Sequence, residues 1–384
     1  MAQKPLKLLL TGGGTGGHVY PALATLDALS RYVAPEVLYV GTKRGIEARL
    51  VAKRGLPYRA IWIAGFQRSF TLKNLLFPIK LAVSLWQSWR ILRQFRPDVA
   101  VGTGGYVTGP ILWLAAQLGI PVVIEEQDVH PGVTSRLLAP HARKICLAFE
   151  GAAPHFQKMA EKIVVTGNPV RADLTSVSRE AARRLWNIPE NSRVVLVFGG
   201  SQGAQAINDA VLQSYPTWTA QGMVILWQTG ERDYARINAA IEEGNENVRV
   251  FSYIDEMPAA YAAADVVVCR AGAITLAELA VVQKPAVLIP YPFAAGDHQM
   301  KNARFVESRG AAIVLPQRED LVLKLQETVM QLMEDDQKRQ KMQQAWKPLA
   351  HPDAADKIAR VILDVAGVPV DTVQPVMEQH TENS

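Results

Sequence analysis

The chain has 384 residues, which is long for a single domain and comfortable for two. Its 49% hydrophobic content supports a sizeable core and excludes a globally disordered protein. The net charge of +5 suits anionic partners such as phosphates or acidic lipid headgroups. It is too small to indicate nucleic acid, and no nucleic-acid-binding motif occurs, so we expect no nucleic-acid partner.

Continuous apolar runs alternate with helical patterns along most of the chain. They predict strands at 7–11, 37–41, 58–63, 98–102, 121–125, 144–148 and 162–166, then at 193–199, 223–228, 248–251, 265–269, 285–289 and 311–314. Unbroken Val, Ile and Leu runs are typical of parallel strands covered on both faces. The alternation therefore predicts an α/β protein with doubly wound parallel sheets. Further helices are expected near 178–186, 319–347 and 353–366.

Several features of the sequence predict that it has no signal peptide, no transmembrane helix at 99–124 and no zinc site. The N-terminus runs directly into a strand, so we expect no signal peptide. Glycines and prolines interrupt the uncharged run at 99–124, which argues against a transmembrane helix there. Cys146 and Cys269 lie in apolar runs and are expected to be buried. They offer no disulfide framework and no zinc spacing, which fits a reducing, cytoplasmic compartment.

A helical pattern at 72–90 combines large apolar residues with basic ones. The apolar members are Leu75, Leu76, Phe77, Ile79, Trp86 and Trp89. The basic members in or just after it are Lys73, Lys80, Arg90, Arg93 and Arg96. One interpretation is a patch over 72–96 that binds an anionic membrane surface. The alternative is a helix packed on the sheet with its basic residues in solvent, because aromatic residues on a helix are usually core.

The first strand ends in a glycine-rich turn at 12–17 (GGGTGG), directly followed by His18. A strand that ends in glycines and opens a helix can bring backbone N–H groups close to a phosphate. The turn formally matches the dinucleotide fingerprint, but that fingerprint also needs an acidic residue at the end of the second strand. This strand ends in Gly41-Thr42 instead, which weakens an NAD-binding interpretation.

Two more loops follow strands of the same half. The segment 102–110 (GTGGYVTGP) again allows close backbone approach and could hold a second phosphorylated molecule. Glu125, Glu126 and Asp128 end the next strand. Carboxylates there can bind sugar hydroxyls or act as a base, and the alternative is a polar loop that begins a turn.

The second half repeats the strand–turn–helix pattern at 194–204 (VVLVFGGSQGA), which suggests two similar domains facing a shared cleft. In the segment 265–278 (DVVVCRAGAITLAE), the helix N-terminus can face a diphosphate and Glu278 can accept both ribose hydroxyls. Asp297, His298 and Gln299 open a later helix and can read sugar hydroxyls, although Asp297 also fits a plain N-cap. No Asp-x-Asp triplet occurs, so helix N-termini and basic side chains would have to neutralise a leaving diphosphate.

Taken together and in this order, the motifs resemble the MurG family. Its members are peripheral membrane enzymes that add N-acetylglucosamine (GlcNAc) to lipid I, making lipid II for peptidoglycan. The resemblance spans roughly 6–310 and implies GT-B architecture, with two Rossmann-like domains and a cleft between them. It implies an acceptor-binding, membrane-associating domain at 1–166 and a UDP-sugar-binding domain at 167–350. A helix at 351–368 would pack back on the first domain, followed by a polar tail at 369–384.

The resemblance also implies roles for individual residues. The implied donor-binding residues are Thr15, Gly16, Gly17, Asp128, Arg171, Ser201, Ile254, Ala273, Ile274, Thr275, Glu278 and Gln299. Arg171 and Ser201 would contact the diphosphate, and Ile254 would contact uracil. Glu278 would hold the ribose and Gln299 the sugar hydroxyls. The implied acceptor-binding residues are Gly14, His18, Gly104, Gly105 and Tyr106. No metal site and no tightly bound cofactor are implied; UDP-GlcNAc is the donor substrate.

Asp128 departs from the family pattern, which usually has an asparagine that contacts the sugar. An aspartate accepts hydrogen bonds but cannot donate them at neutral pH. We expect inversion by a single displacement, in which the C4 hydroxyl of the muramyl sugar attacks the anomeric carbon and UDP leaves. His18 is the candidate base or acceptor-orienting group, because an imidazole titrates near working pH. Asp128 and Glu126 are further candidates.

Three alternatives stay open on the sequence. A UDP-GlcNAc 2-epimerase shares the fold but needs neither a lipid acceptor nor a basic hydrophobic helix. An NAD-dependent oxidoreductase lacks its acidic residue. A non-catalytic scaffold for lipid-linked precursors does not need Arg171, Glu278 and Gln299 together. The expected partners are UDP-GlcNAc, lipid I, an anionic membrane surface and other cell-wall synthesis proteins, at the cytoplasmic face of the inner membrane.

Overall fold

The computed structural model describes residues 5–65 and 76–369, which form two compact units. The first unit contains the described residues up to Val170 together with those from Pro352 onward. The second unit runs from Arg171 to His351. Each unit is built on one parallel sheet, as the continuous apolar runs predict.

The sheet of the first unit has the strand order β3-β2-β1-β4-β5-β6-β7. Its strands are β1 (Lys7–Thr11), β2 (Glu36–Gly41), β3 (Tyr58–Ala60), β4 (Val99–Gly102), β5 (Val122–Glu126), β6 (Lys144–Leu147) and β7 (Ile163–Val165). The α-helices described in the same unit are α1 (Gly16–Leu29), α2 (Ile46–Lys53), α3 (Phe77–Phe95), α4 (Thr108–Gln117), α5 (Val133–Leu138) and α14 (Ala354–Val365). Short 3-10 segments follow α5 at Ala139–His141 and precede β7 at Glu150–Lys162.

Successive residues of each strand pack on opposite faces of this sheet. Leu9 belongs to the core beneath α4, whereas Leu8 and Leu10 belong to the core on the other face. Ile358 and Ile362 of α14 are fully buried in that second core. The C-terminal helix therefore packs on the sheet of the first unit, although the chain reaches it from the second.

The sheet of the second unit has the order β10-β9-β8-β11-β12-β13. Its strands are β8 (Arg193–Phe198), β9 (Met223–Gln228), β10 (Val248–Phe251), β11 (Val266–Cys269), β12 (Ala286–Leu288) and β13 (Ala312–Val314). Its α-helices are α6 (Arg179–Leu185), α7 (Gln205–Ala220), α8 (Glu231–Ala240), α9 (Met257–Ala263), α10 (Ala273–Val282), α11 (His298–Glu307), α12 (Leu321–Glu334) and α13 (Asp336–Trp346). Ala295–Asp297 and Lys347–Leu349 are short 3-10 turns. Strands β8 and β11 are parallel neighbours at the centre of this sheet. The turns that follow them therefore lie at the same edge of the sheet, the edge formed by the carboxyl ends of the strands.

The sequence predicted one continuous helix at 319–347, and this prediction is wrong because the segment forms two helices. The structure ends α12 at Glu334 and begins α13 at Asp336. Asp335 leaves the helical conformation (φ −103°, ψ 87°), and its side chain accepts a hydrogen bond of 2.8 Å from the Lys338 N–H. A side-chain cap thus starts a new helix where the apolar periodicity alone indicated no break.

The helix predicted at 72–90 is α3, which runs from Phe77 to Phe95. Residues 72–75, including Lys73 and Leu75, lie outside the described part of the chain. In the parts that the structure describes, no helix is both long and apolar enough to cross a bilayer. Cys146 and Cys269 are buried free thiols, as predicted.

Candidate active site

The first glycine turn joins β1 to α1 and uses part of its own backbone for internal hydrogen bonds. Gly14 adopts a left-handed conformation (φ 88°), which glycine reaches without strain. The Gly13 N–H donates to the Gly104 carbonyl at 3.3 Å, and the Gly14 N–H donates to Glu47 Oε2 at 3.2 Å. Neither of these two N–H groups is therefore turned toward a ligand.

The loop after β4 lies directly against this turn. A side chain on Gly105 would place its Cβ 2.3 Å from the Gly13 carbonyl oxygen, and one on Gly104 would lie 2.7 Å from the His18 ring. Tyr106, which is 37% exposed, lies near Gly14. The structure thus brings together the predicted acceptor-binding residues, and only glycine permits this approach.

His18 sits in the first turn of α1 with its ring oriented by the backbone. Its Nδ1 lies 2.9 Å from the Gly13 carbonyl oxygen and 3.3 Å from Thr15 Oγ1. Because a carbonyl oxygen only accepts, Nδ1 carries the proton in this contact and the ring lone pair is on Nε2. The Thr103 hydroxyl donates to the His18 carbonyl at 2.5 Å, which ties α1 to the loop after β4.

The carboxylates at the end of β5 and just after it divide into two buried groups and one accessible group. Glu126 is 4% exposed and accepts the N–H groups of Asp128 and Gly132, each at 3.2 Å. Burial raises the pKa of Glu126 to about 7, and that of the fully buried Glu125 to about 8. Glu126 therefore supports the turn, while its role as a candidate base stays a prediction, and Asp128 is partly exposed.

The second glycine turn joins β8 to α7 and is held by β9. Gly203 has φ 74°, and a Cβ there would lie 2.0 Å from the Thr229 carbonyl oxygen. Gln228 donates to the Gly200 carbonyl at 3.1 Å and accepts the Ile254 N–H at 2.9 Å. This amide links the turn to Ile254, which the sequence assigned to the same nucleotide. Within the described helix α7, the first turn holds no acidic residue.

Glu278 lies on α10, the helix that begins at Ala273 after β11. The Tyr261 hydroxyl donates to Glu278 Oε2 at 2.9 Å. Burial raises the pKa of Glu278 to about 7, while the Tyr261 hydrogen bond and the charge of Arg171 act in the opposite direction. Arg171 makes a two-point contact with Asp173 at 3.0 and 2.9 Å and remains half exposed. Glu278 and Arg171 are thus electrostatically coupled.

An open pocket of about 570 Å³ lies beside the second turn. It is lined by Gly199, Gly203, Ala204, Gln205, Ala206, Asp209, Arg270, Tyr291, Gln299 and Gln317. Arg270 donates to the Ile289 carbonyl at 3.0 Å and to Gln317 Oε1 at 2.9 Å, and burial lowers its pKa to about 10. Gln299 Oε1 accepts the Tyr291 N–H at 2.9 Å. The pocket therefore combines a fixed cation, a fixed amide and a helix N-terminus, which suits an anionic, hydroxyl-bearing ligand.

The predicted site residues divide between the two units. The first unit holds Gly14, Thr15, Gly16, Gly17, His18, Gly104, Gly105, Tyr106, Glu126 and Asp128. The second unit holds Arg171, Ser201, Ile254, Ala273, Ile274, Thr275, Glu278 and Gln299. Their individual roles stay predictions. Among the described residues, no cluster of His, Cys, Asp and Glu could hold a metal ion.

Sequence reasoning missed the residues that hold these groups in place. Glu47 under the first turn, Gln228 under the second and Tyr261 beside Glu278 each act on a segment distant in the chain. Arg270 stands inside the recognised segment 265–278, directly after β11, so its position at a strand end was an available signal. For the other three, no local pattern distinguishes a supporting side chain from a surface one.

Two family models match the chain. The glycosyltransferase family 28 N-terminal domain matches residues 8–147, and the family 28 C-terminal domain matches residues 194–358. A relative from Salinibacter ruber is 44% identical over 369 residues, covering 95% of this chain and 98% of that protein. It is named UDP-N-acetylglucosamine--N-acetylmuramyl-(pentapeptide) pyrophosphoryl-undecaprenol N-acetylglucosamine transferase.

Solved structures agree with this match. The crystal structure of Acinetobacter baumannii MurG has a TM-score of 0.76 at 29% identity, covering 94% of this chain and 100% of that one. A UDP-GlcNAc 2-epimerase from Neisseria meningitidis, bound to UDP-GlcNAc, has a TM-score of 0.63 at 15% identity over 94% of this chain and 100% of that one, which shows the fold alone. The predicted fold class, two Rossmann-like domains of the GT-B type, is confirmed. The chain belongs to the MurG family, within glycosyltransferase family 28.

Proposed function

We propose that this protein transfers GlcNAc from UDP-GlcNAc to the C4 hydroxyl of the muramyl sugar in lipid I, giving lipid II and UDP. The observation that carries the proposal is the 44% identity, along 95% of the chain, to a transferase named for this reaction. The pocket beside the second glycine turn adds a physical reason. It combines the positive charge of Arg270 with the N-terminus of α7, which suits an anionic sugar nucleotide.

The second unit holds the donor in this proposal. Glu278 accepts the ribose hydroxyls, for which an ionised carboxylate is the better acceptor. Ser201, Arg171 and the N-terminus of α7 meet the diphosphate, and Gln299 contacts the sugar hydroxyls. These groups also stabilise the charge that develops on UDP as it leaves. Ile254, Ala273, Ile274 and Thr275 complete the nucleotide contacts.

The first unit holds the acceptor and the base. His18 takes the proton of the C4 hydroxyl through Nε2, because Nδ1 is engaged by the Gly13 carbonyl. The hydroxyl oxygen forms its bond to the anomeric carbon while the bond to the diphosphate oxygen breaks, and UDP leaves with that electron pair. One displacement inverts the anomeric configuration. Asp128 accepts hydrogen bonds from a sugar hydroxyl at this edge.

An apolar, basic surface on α3 supports peripheral binding at the cytoplasmic face of the inner membrane in this proposal. Ile79 and Trp86 are 54% and 56% exposed, and Trp89 is exposed beside them. The guanidinium groups of Arg90 and Arg93 lie 5.3 Å and 5.6 Å from the ring centres of Trp86 and Trp89. Exposed indoles beside cations suit the interface of an anionic membrane. Sedimentation with anionic vesicles tests this, and equal sedimentation of a Trp86→Glu variant would contradict it.

The function itself is tested by transfer of labelled GlcNAc from UDP-GlcNAc to a lipid I analogue. We expect a labelled lipid-linked disaccharide and release of UDP. A parallel reaction without acceptor tests the epimerase alternative, since an epimerase consumes UDP-GlcNAc and yields its 2-epimer. Absence of disaccharide from protein that still binds UDP-GlcNAc would refute the transferase proposal.

A further inference from the structure

Glu47 is a fully buried carboxylate in a position that the proposed reaction does not explain. It lies in the first turn of α2, beneath the first glycine turn. Its Oε1 accepts the Thr42 N–H at 3.0 Å and the Thr42 hydroxyl at 2.6 Å. Its Oε2 accepts the Gly14 N–H at 3.2 Å. A buried carboxylate is costly, and packed apolar residues would fill the site at less cost.

The surrounding backbone is shaped to admit this carboxylate. A Cβ on Gly13 would lie 2.7 Å from its carboxyl carbon, and a Cβ on Gly45 would lie 2.3 Å from the same atom. A Cβ on Gly41 would lie 2.6 Å from Glu47 Cγ. Three glycines, from the first turn, the end of β2 and the loop that follows β2, thus leave room for one side chain.

The Gly14 N–H and the Gly13 carbonyl belong to the same peptide group. Its N–H donates to Glu47 and its carbonyl oxygen receives Nδ1 of His18 at 2.9 Å. The three groups therefore form a chain of hydrogen bonds, from carboxylate through peptide to imidazole. A negative charge at one end of a peptide group polarises it and strengthens the carbonyl as an acceptor at the other end.

We propose that Glu47 is the positioning residue for His18, acting through the Gly13–Gly14 peptide. Its charge holds that peptide in one orientation and favours the His18 tautomer that carries its proton on Nδ1. The lone pair is then on Nε2, the atom that accepts the substrate proton. This inference rests on the proposed function, because it gives His18 the role of base.

The first test compares the Glu47→Gln and Glu36→Gln variants in the GlcNAc transfer assay. Glu47→Gln keeps the size of the side chain and removes its charge. Glu36→Gln is the matched control, on the neighbouring strand β2 but exposed and paired with Lys7. We expect kcat of Glu47→Gln to fall about tenfold, because the variant loses part of the rate enhancement that a general base contributes. KM for UDP-GlcNAc should change less than twofold. The control should match the wild type.

A double-mutant cycle separates positioning from general support of the fold. If Glu47 acts through His18, then Glu47→Gln should have no further effect on kcat in a His18→Ala background. A purely structural role would lower kcat by the same factor in both backgrounds. That additive result, or an unchanged kcat in the single variant, would overturn the proposal.

A measurement on the wild-type protein avoids dependence on a variant that fails to fold. Nitrogen-15 NMR of the imidazole rings, with the His18 signals assigned by comparison with His18→Ala, reports the tautomer directly. We expect the neutral ring to carry its proton on Nδ1, and a proton on Nε2 would overturn the inference. If the wild type transfers no GlcNAc, the proposed function fails, whereas comparison of the His18 tautomer in the wild type and in Glu47→Gln still tests the link between Glu47 and His18.

Discussion

The two glycine-rich turns have similar sequences but different electrostatic surroundings. The turn after β1 lies over the buried carboxylate of Glu47, which takes the Gly14 N–H. The turn after β8 opens on a pocket that contains Arg270, and α7 begins behind it without an acidic residue in its first turn. A glycine turn before a helix is commonly associated with phosphate binding, but only the second turn has surroundings that favour an anion.

This difference separates two tasks. In the proposed mechanism, the carboxylate beneath the first turn supports an imidazole that accepts a proton. The cation and the helix N-terminus at the second turn would stabilise negative charge on the leaving UDP. We propose that the same backbone motif serves proton transfer in one unit and anion binding in the other, and that Glu47 and Arg270, rather than the glycines, set this difference.

The largest effect on the donor side is expected from Glu278→Ala. The change removes the proposed ribose contacts and the partner of the Tyr261 hydroxyl. Since hydrogen bonds to charged groups contribute about 1.5–3 kcal/mol, KM for UDP-GlcNAc should rise roughly tenfold to hundredfold. Steady-state kinetics checks this, with the exposed Glu243→Ala as control.

Because burial raises the pKa of Glu278 to about 7, wild-type donor affinity should also fall as pH drops below 7.

A carboxylate introduced at the second turn would remove the electrostatic difference between the two turns. Ser201→Asp adds a negative charge where we place the diphosphate, and Ser201→Asn is a neutral control of the same size. We expect Kd for UDP to rise about tenfold in the aspartate variant, equivalent to about 1.4 kcal/mol, with the asparagine variant near wild type. Isothermal titration calorimetry measures both. Equal Kd values for UDP in the two variants would show that the diphosphate does not bind at this turn.

The stabilities of the Gly203→Ala and Gly244→Ala variants, compared with each other, test the backbone packing at the second turn. Both glycines have positive φ, 74° and 82°, so the conformational strain is similar. A Cβ at Gly203 would lie 2.0 Å from the Thr229 carbonyl oxygen, whereas nothing lies within 4 Å of one at Gly244. We expect Gly203→Ala to be about 2 kcal/mol less stable than Gly244→Ala. Thermal unfolding monitored by circular dichroism compares them, and equal melting temperatures would contradict this packing.

The smallest effect concerns the pH dependence of stability in the first unit. Burial raises the pKa of Glu125 to about 8, above its ordinary value of 4.5, so the folded state binds a proton that the unfolded state has already lost. Stability from this group is therefore full below pH 4.5 and is lost as pH rises toward 8. Glu125→Gln should flatten the fall in melting temperature between pH 5 and pH 8. An unchanged slope would exclude Glu125 as its source.

The sequence predicted the strands and both turns because the buried parallel strands are continuous apolar runs, and because glycine directly follows β1 and β8. It could not predict the break at Asp335, since a single capping hydrogen bond decides it. It placed Glu126 among the candidate bases, yet the structure directs both of its oxygens to backbone N–H groups. Exposed and buried carboxylates look the same in a sequence.

The supporting residues were unpredictable for a different reason. Glu47 stands 33 positions after Gly14, and Gln228 stands 28 positions after Gly200. Their roles arise only when neighbouring strands set the loops side by side. The resemblance to the MurG family supplied the residues that would touch substrate, whereas the residues that orient them came from the structure.

In the proposed mechanism His18 in the first turn accepts the proton, while the second turn binds the diphosphate of UDP. The most direct test measures kcat for GlcNAc transfer and Kd for UDP on the same sample of His18→Ala. We predict that kcat falls by about a hundredfold or more, as for loss of a general base, while Kd for UDP stays within twofold of the wild type. A variant that keeps its kcat, or one that loses UDP binding together with activity, would contradict it.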